Sequence, residues 1–319
     1  MRLACIGNAL IDILAQVDLD YPARIGIHPG STEHASRKSI RMIMESLYDY
    51  SISAGGGAAN TARAFVALGG SASFAGCIGT DSWGEVYSEN LKSAGVDCLL
   101  QSTTGDTGLF LSLCDPNGLR SIVVDPGSAQ NMAIEAIPPP FFSRGSTLYL
   151  DGFLALVPGL LEKLIATAKA NGMPVAFDAG GQRLVSANRT LFQKIIREDA
   201  SWVFMNEDEF VALAGESVDT SLASFAKVVK GILVVKRGNA GAVCIQDGQL
   251  FDSPVRSIDA MDTTGAGDSF AAGFLKAYGS GAPLARCMRM ANWTAENAIL
   301  HPRGSLRANS LMTGVSAFL

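Results

Sequence analysis

Short runs of apolar residues alternate along the chain with longer segments in which apolar residues recur every three or four positions. The short runs are typical of buried strands and fall at residues 3–7, 72–78, 147–150, 175–178, 202–205 and 232–236. The longer segments are typical of amphipathic helices and include residues 58–68, 84–93, 159–170 and 221–229. Strands that alternate with helices in this way predict an α/β protein with a doubly wound, mostly parallel sheet.

Two regions depart from this alternation and predict a second, smaller sheet. In residues 13–53 and 107–124, apolar and polar positions alternate around turns such as residues 115–118 (DPNG). We therefore expect an α/β core of residues 1–12, 54–106 and 125–319, and a β-lid of residues 13–53 and 107–124. Ligands of doubly wound sheets bind at the carboxyl ends of the strands, where such a lid would cover them. A hairpin without function is the alternative that the pattern leaves open.

Composition narrows the class of protein. Of the 319 residues, 48% are hydrophobic, but no apolar run is long enough to cross a membrane, and the first residues follow a strand pattern instead of that of a signal peptide. The net charge is −5 without a block of lysine or arginine, which argues against a nucleic-acid partner. The six cysteines and three histidines lack metal-ligand or catalytic spacing, which disfavours a zinc enzyme or a serine hydrolase. A cytoplasmic protein with a small-molecule ligand is expected.

Residues 262–268 (DTTGAGD) carry the clearest chemical signal. A helical pattern follows them, so that Gly265, Ala266 and Gly267 lie where a helix begins and their N–H groups are expected to form an anion hole. Asp268 belongs to the first turn of that helix and would accept the proton of an attacking hydroxyl group. Interaction of Asp268 with the helix dipole alone is the other interpretation. The segment therefore predicts phosphoryl transfer.

Residues 262–268 resemble the second signature of the ribokinase-like (PfkB) carbohydrate kinase family. Residues 55–62 (GGGAANTA), with the glycines of 68–84, resemble its first signature, and the two stand in family order. Residues 7–13 (GNALIDI) and 151–154 (DGFL) are similar to the adenosine kinase-like branch. The resemblance implies transfer of the γ-phosphate of ATP to a primary hydroxyl of a sugar or ribonucleoside, with Asp268 as base. A Walker loop is absent from the sequence, as expected where a backbone anion hole replaces it.

The resemblance also implies roles for other residues. The acceptor would be bound by Asn8, Asp12, Gly56, Gly57 and Asn60, and the ATP by Asn206, Gly238, Gly241 and Asn292. Mg²⁺ would be organised by Glu209, and Asp259 would flank a monovalent-cation site for K⁺. Capping remains an alternative role, since Asn60 stands near a helix start and Asn206 with Glu209 fits a capping box equally well. Residues 236–241 (KRGNAG) resemble the turn that lies against the ATP phosphates in the family, so Lys236 could contact phosphate, but a lysine at a strand end is solvated by default and is not assigned to the site.

Three questions stay open at this point. Adenosine kinases carry two adjacent aromatic residues where Phe153 is followed by Leu154, and residues 30–34 are polar, so both sugars and nucleosides remain candidate acceptors. A Rossmann-type dehydrogenase is disfavoured because residues 7–9 lack GxGxxG, whereas a non-catalytic nucleotide or sugar sensor with the same fold is the remaining alternative. A monomer or a homodimer is expected, since exposed lid edges permit pairing.

Overall fold

The computed structural model describes residues 1–255, 258 and 263–301. The strands are β1 (Arg2–Ile6), β2 (Leu10–Gln16), β3 (Thr32–His34), β4 (Ser51–Gly55), β5 (Ser71–Gly79), β6 (Asp97–Thr103), β7 (Gly108–Cys114), β8 (Arg120–Asp125), β9 (Ser146–Asp151), β10 (Val175–Asp178), β11 (Trp202–Asn206), β12 (Ile232–Lys236), β13 (Ala242–Gln246) and β14 (Gln249–Ser253). The α-helices are α1 (Tyr21–Arg24), α2 (Arg37–Ser46), α3 (Gly57–Ala67), α4 (Ser82–Ser93), α5 (Leu160–Ala170), α6 (Gln182–Ala187), α7 (Arg189–Lys194), α8 (Glu207–Ala214), α9 (Val218–Phe225), α10 (Ala266–Gly279) and α11 (Leu284–Leu300). Single 3₁₀ or π turns cover Gly127–Asn131, Ile134–Ala136, Pro139–Phe141, Gly152–Leu156, Ile195–Asp199 and Gly238–Ala240.

The main sheet has nine strands in the order β14-β13-β12-β11-β10-β9-β1-β5-β6. The strands from β12 to β6 are parallel, and the hairpin of β13 and β14 continues the sheet with antiparallel pairing. Successive residues of β1 enter opposite cores: Leu3 and Cys5 pack with α3, α10 and α11, whereas Ala4 and Ile6 pack with α5 and α8. Because both faces of the sheet are buried, the sequences of these strands are continuous runs of apolar residues. The predicted doubly wound α/β fold is confirmed.

A second sheet has the order β3-β8-β7-β2-β4. It mixes antiparallel pairs (β2 with β4, β7 with β8) and parallel pairs (β2 with β7, β3 with β8). The segment 13–53, expected to form hairpin strands, also contains α1 and α2, and the buried Ile40 anchors α2. The boundaries drawn between core and lid stay a prediction.

The strand order reverses beside β1. From β1 the chain moves outward to β5 and β6, and it then returns to build β9, β10, β11 and β12 on the other side. The carboxyl ends of β1 and β9 therefore border the crevice at which doubly wound sheets bind their ligands. Within residues 1–255, 258 and 263–301, no helix combines the length and apolarity needed to span a membrane.

The passage from the main sheet into β7 is held by Asp81, the N-cap of α4. Its Oδ1 accepts hydrogen bonds from the Gly84 N–H (3.0 Å) and the Thr107 hydroxyl (2.5 Å), and its Oδ2 accepts one from the Thr107 N–H (3.1 Å). Burial alone would raise the pKa of Asp81, but the bonds from Thr107 and Gly84 and the charge of Arg37 outweigh it and lower the pKa. Arg37 of α2 also donates to the Thr107 carbonyl and pairs with Asp125 at the end of β8 (3.1 Å). Asp81 and Arg37 thus hold the entry of the chain into β7 and its exit from β8.

We expect Asp81→Ala to lower the free energy of unfolding by about 1–3 kcal/mol, because it removes a helix cap and leaves the Thr107 N–H without its acceptor. Urea denaturation followed by circular dichroism measures this loss. The control is Asp97→Ala, which removes an exposed carboxylate paired with Arg2 (3.2 Å) and should cost less than about 1 kcal/mol. Equal losses in the two variants would contradict the anchoring role of Asp81.

Candidate active site

The first turn of α10 faces the ligand crevice with unpaired backbone donors. Gly265 adopts a left-handed conformation (φ 75°) that turns the chain into the helix. The N–H of Ala266 is already bonded to the Thr263 carbonyl at 3.1 Å, contrary to its expected place in the anion hole. Among the residues that the structure describes, no acceptor is found for the N–H groups of Gly265, Gly267 and Asp268. The donors available to an anion are thus those of Gly265, Gly267 and Asp268, without that of Ala266.

The Asp268 side chain points from this turn towards α3. Its Oδ2 accepts a hydrogen bond from Asn60 Nδ2 at 3.0 Å, and Asn60 Oδ1 in turn accepts one from Arg63 Nη2 at 2.5 Å. Burial and the nearby Asp178 raise the pKa of Asp268 to about 6, although Asn60, Lys236 and Arg63 favour the ionised form. Asp268 is therefore ionised at neutral pH yet far more basic than an exposed aspartate, as a proton acceptor should be.

A second buried carboxyl group, Asp151, faces the same point from the end of β9. Asp151 is 4% exposed, and its Oδ1 accepts a hydrogen bond from the Phe153 N–H at 2.9 Å. A Cβ atom on Gly57 would lie 3.0 Å from Asp151 Oδ2 and 3.3 Å from Asp268 Oδ1, so both carboxyl groups meet at this glycine. Burial first, and then Asp178 and Asp268, raise the pKa of Asp151 to about 7. The resemblance covered residues 151–154 but gave Asp151 no role, although an acid directly after an apolar run was a signal for one.

The five residues predicted to bind the acceptor lie together around the strand-order reversal. Asn8 and Asp12 are 9% and 7% exposed. Gly56 has φ 92°, and a Cβ atom there would stand 2.1 Å from the Asn8 carbonyl oxygen. Gly57 and Asn60 complete the group through their contacts with Asp268. The glycine at position 56 is therefore required by both conformation and space.

A cavity of about 790 Å³ opens on the other side of Asp268, against the first turn of α10. Its walls include the four residues predicted to bind the nucleotide, namely Asn206, Gly238, Gly241 and Asn292. The turn of residues 116–118, between β7 and β8, also lines it. Backbone donors, glycines and amide side chains fit a nucleotide, so a nucleotide in this cavity would present its phosphates to Gly267.

The expected magnesium ligand Glu209 is engaged in a capping box. Glu209 is 4% exposed; its Oε2 accepts from the Asn206 N–H (2.8 Å) and its Oε1 from Asn206 Nδ2 (2.9 Å). Burial, followed by Asp178, raises the pKa of Glu209 to about 7. No group of three metal-binding side chains occurs in the described part of the chain, and Asp259 lies outside it. This donor set fits Mg²⁺ held mainly by phosphates and water, with Glu209 orienting Asn206.

Lys236 differs from the solvated lysine expected at a strand end. Its side chain is 16% exposed, and Nζ lies 3.1 Å from Asp178 Oδ2. A Cβ atom on Gly267 would be 3.0 Å from the same Nζ, which places the ammonium group beside the unpaired amide of α10. Burial lowers the pKa of Lys236, but Asp178, Glu209 and Asp268 outweigh it, and the net shift is upward. Lys236 is thus charged and part of the site.

The small sheet contributes Arg120, another residue that the motifs did not single out. Arg120 begins β8, and its Nη1 donates to the Thr264 hydroxyl at 2.8 Å. Thr264 belongs to the segment that leads into α10. The sheet expected to act as a lid therefore touches the segment that leads into α10 directly.

Several kinases are similar to the chain over nearly its whole length. Residues 43–308 match the pfkB family carbohydrate kinase domain. The adenosine kinase of Schizosaccharomyces pombe is 25% identical over 318 residues, covering 92% of this chain and 93% of that protein. The ATP-dependent ribose-1-phosphate kinase of Halopiger xanaduensis is 28% identical over 305 residues, covering 95% of both. The crystal structure of adenosine kinase from Sinorhizobium meliloti has a TM-score of 0.90 at 26% identity and covers 100% of this chain and 99% of that one.

The buried Asp151 should make stability fall as pH rises. Its folded-state pKa of about 7 lies above the value near 4 of an unfolded aspartate, so the folded protein binds more protons between these values. The free energy of unfolding of the wild type should therefore be higher at about pH 5.5 than at about pH 8. We expect Asp151→Asn to reduce this difference by about 1–3 kcal/mol. Chemical denaturation at both pH values measures it, with the exposed Asp97→Asn as a control that keeps the full difference. An unchanged pH dependence in Asp151→Asn would refute the shifted pKa.

Proposed function

Because the chain belongs to the pfkB family of carbohydrate kinases, we propose that it transfers the γ-phosphate of ATP to a primary hydroxyl group of a ribosyl compound, with a ribonucleoside as the leading candidate. The chain is a phosphotransferase with an alcohol group as acceptor, and the adenosine kinase-like branch predicted from its motifs is confirmed. We propose the identity of the acceptor, the role of Asp268 as catalytic base and the formation of an anion hole by backbone N–H groups.

The observation that carries the proposal is the position of Asp268 between two spaces. On one side its carboxylate meets Asn60 and Gly57 of the acceptor group. On the other side the helix turn to which it belongs lines the nucleotide cavity through Ala266 and Gly267. A hydroxyl group bound at Gly57 and a phosphate bound at the Gly267 amide would therefore meet at this carboxylate.

The reaction follows from this arrangement. The acceptor oxygen attacks the γ-phosphorus, a new O–P bond forms, and the bond from that phosphorus to the β–γ bridging oxygen breaks, with its electron pair leaving on ADP. Asp268 accepts the hydroxyl proton, and the N–H groups of Gly267 and Asp268 stabilise the charge on the transferring phosphoryl group. Bound Mg²⁺ supplies charge neutralisation on the phosphates, with Asn206 and Glu209 as the residues near it. A requirement for K⁺, a cytoplasmic location and a monomeric or dimeric state remain predictions.

A ribonucleoside is favoured as acceptor because an aromatic side chain is partly exposed close to Asp151. Phe153 is 39% exposed and follows Asp151 by two positions. Its ring atoms would lie 3.0 Å and 3.5 Å from Cβ atoms on Gly180 and Gly181, so the ring lies against the backbone of these glycines. A nucleobase gains from stacking on the exposed part of such a ring, whereas a free sugar gains little from it. The named substrates of the two curated relatives, adenosine and ribose-1-phosphate, both contain ribose.

We expect Asp268→Asn to lower kcat by about 10²–10⁴-fold while ATP affinity changes little, because the amide cannot accept the proton. Steady-state kinetics give kcat, and calorimetry with an unreactive ATP analogue gives the affinity. Glu85→Gln is the matched control, since Glu85 is an exposed acid in the first turn of α4. A kcat within threefold of the wild type would refute the role of Asp268 as the base. A threefold change corresponds to less than about 1 kcal/mol in the activation free energy, since a tenfold change corresponds to about 1.4 kcal/mol.

An ADP-release screen over ribonucleosides, ribose, ribose 1-phosphate, fructose and inositols tests the acceptor. Ribonucleosides should react with the highest kcat/KM, and Phe153→Ala should raise their KM about tenfold or more while that of ribose stays nearly constant. Leu156→Ala is the control, since Leu156 is a similarly exposed apolar residue (45%) of the same 3₁₀ turn. A preference for fructose or ribose would overturn the nucleoside assignment. Binding without ADP release from any acceptor would support the sensor instead.

A further inference from the structure

We propose that Lys236 is a catalytic residue whose ammonium group binds the γ-phosphoryl group during transfer, and that Asp178 is the residue that positions it. The inference rests on the proposed function for its reaction, and on the geometry of two strand ends for its residues. Asp178 lies outside every segment that resembles the family, and Lys236, although it begins the segment 236–241, was given no role by the resemblance.

The Lys236 side chain crosses the carboxyl edge of the main sheet. Lys236 ends β12, where it pairs in register with Asn206 of β11, and its Nζ reaches beyond β11 to Asp178 at the end of β10. A lysine that extends into solvent from a strand end would be mostly exposed, but here only 16% of the side chain is. The neighbouring strands therefore fix the direction of the ammonium group.

That direction leads to the donors of α10. An added Cβ on Gly267 would lie 3.0 Å from Nζ and within 3.9 Å of Cε and Cδ, so the lysine side chain runs along this glycine. Lys236, Gly267 and Thr263 all line the nucleotide cavity. An anion that accepts a hydrogen bond from the Gly267 N–H would thus lie within reach of Nζ. Any side chain at position 267 would displace the ammonium group.

The negative charges around the site favour a cation at this point. The acidic side chains of Asp268, Asp178 and Glu209 all act on Lys236. A γ-phosphate brings further negative charge towards them, and this repulsion must be offset within the low-dielectric site. The other cation that acts on Asp268, Arg63, is bonded to Asn60 on the acceptor side. Among the described residues that line the nucleotide cavity, Lys236 is the one with a cationic side chain.

Asp178 holds the ammonium group in place. Its Oδ1 accepts a hydrogen bond from the Gly180 N–H at 3.1 Å, and its Oδ2 pairs with Nζ at 3.1 Å, so the carboxylate is fixed from both sides. The side chain of Asp178 is 14% exposed. A preoriented cation of this kind needs no reorganisation as the bond to the β–γ bridging oxygen breaks and charge develops on the phosphoryl group.

Three variants test the roles of Lys236 and Asp178. Lys236→Met should lower kcat about 10²–10³-fold, and Lys236→Arg, which keeps the charge, should retain more activity than Lys236→Met. Lys236→Met leaves Asp178 without its partner, so the double variant Lys236→Met with Asp178→Asn is measured beside it. We expect the double variant to be folded, as judged by circular dichroism, and to keep the low kcat of Lys236→Met. Asp178→Asn alone should lower kcat about tenfold with little change in the KM of ATP. Rescue of that loss by Asp178→Glu separates positioning from a general effect on the fold.

Nucleotide binding gives a readout that needs no acceptor. Calorimetry compares ADP with AMP-PCP, an ATP analogue that carries a γ-phosphate, both in the presence of Mg²⁺. The ratio of their dissociation constants should change about 10–100-fold in the double variant, through weaker AMP-PCP binding, while ADP affinity stays within about threefold. Lys230→Met, an exposed lysine just before β12, is the control and should leave the ratio unchanged.

The two hypotheses fail in distinguishable ways. If no alcohol acceptor reacts but the ADP to AMP-PCP ratio changes as expected, the phosphate-binding role of Lys236 stands and the proposed kinase reaction falls. If an acceptor reacts and the folded double variant retains the wild-type ratio or a kcat within threefold, Lys236 has no part in phosphate binding or transfer.

Discussion

The convergence of four acidic side chains, two buried and two partly buried, at one edge of the main sheet is the constraint on which this structure depends. Asp151 and Asp178 end two neighbouring strands, Glu209 lies in the first turn of α8, and Asp268 lies in that of α10. Burial raises the pKa of three of them, Asp151, Glu209 and Asp268, because it disfavours their ionised form. Folding alone would not select such a cluster, because buried like charges cost stability. The compensating groups, among them Asn60, Asn206 and Lys236, are themselves held by the strand and helix ends that create the cluster.

The same edge explains the glycines of the first motif. A Cβ atom on Gly57, the first residue of α3, would lie 3.0 Å from Asp151 Oδ2 and 3.3 Å from Asp268 Oδ1, and Gly56 passes the Asn8 carbonyl at a distance that excludes any side chain. The resemblance to the first signature of the family identified these positions. Their partners lie just after β1, on β9 and on α10, and these contacts form only when the strand order reverses beside β1.

Sequence patterns predicted what depends on local periodicity and missed what depends on contacts across strands. The parallel strands buried on both faces were predicted, whereas β6 and β14, with exposed or half-exposed residues at the sheet edges, lack a continuous apolar run. Within the candidate site, the predicted acceptor group and nucleotide-binding residues lie around the two spaces described. Lys236 was interpreted as solvated because its burial depends on Asp178, 58 positions earlier in the chain. The bond from Ala266 to Thr263, which occupies one of the three N–H groups predicted to form an anion hole, likewise depends on the turn geometry that precedes α10.

The small sheet contributes residues both to the predicted acceptor group and to the nucleotide cavity. Arg120 at the start of β8 bonds to Thr264, and the turn before it forms part of the nucleotide cavity, while β2 and β4 carry Asp12 and lead into Gly56 on the acceptor side. Asp81 and Arg37 hold the entry of the chain into β7 and its exit from β8. A movement of the small sheet would therefore change both binding spaces at once, and its docked position brings Arg120 to the same segment that presents Gly267 and Asp268. Phosphoryl transfer in a space closed to water requires such coupling, because the acceptor must reach the γ-phosphate before a water molecule does.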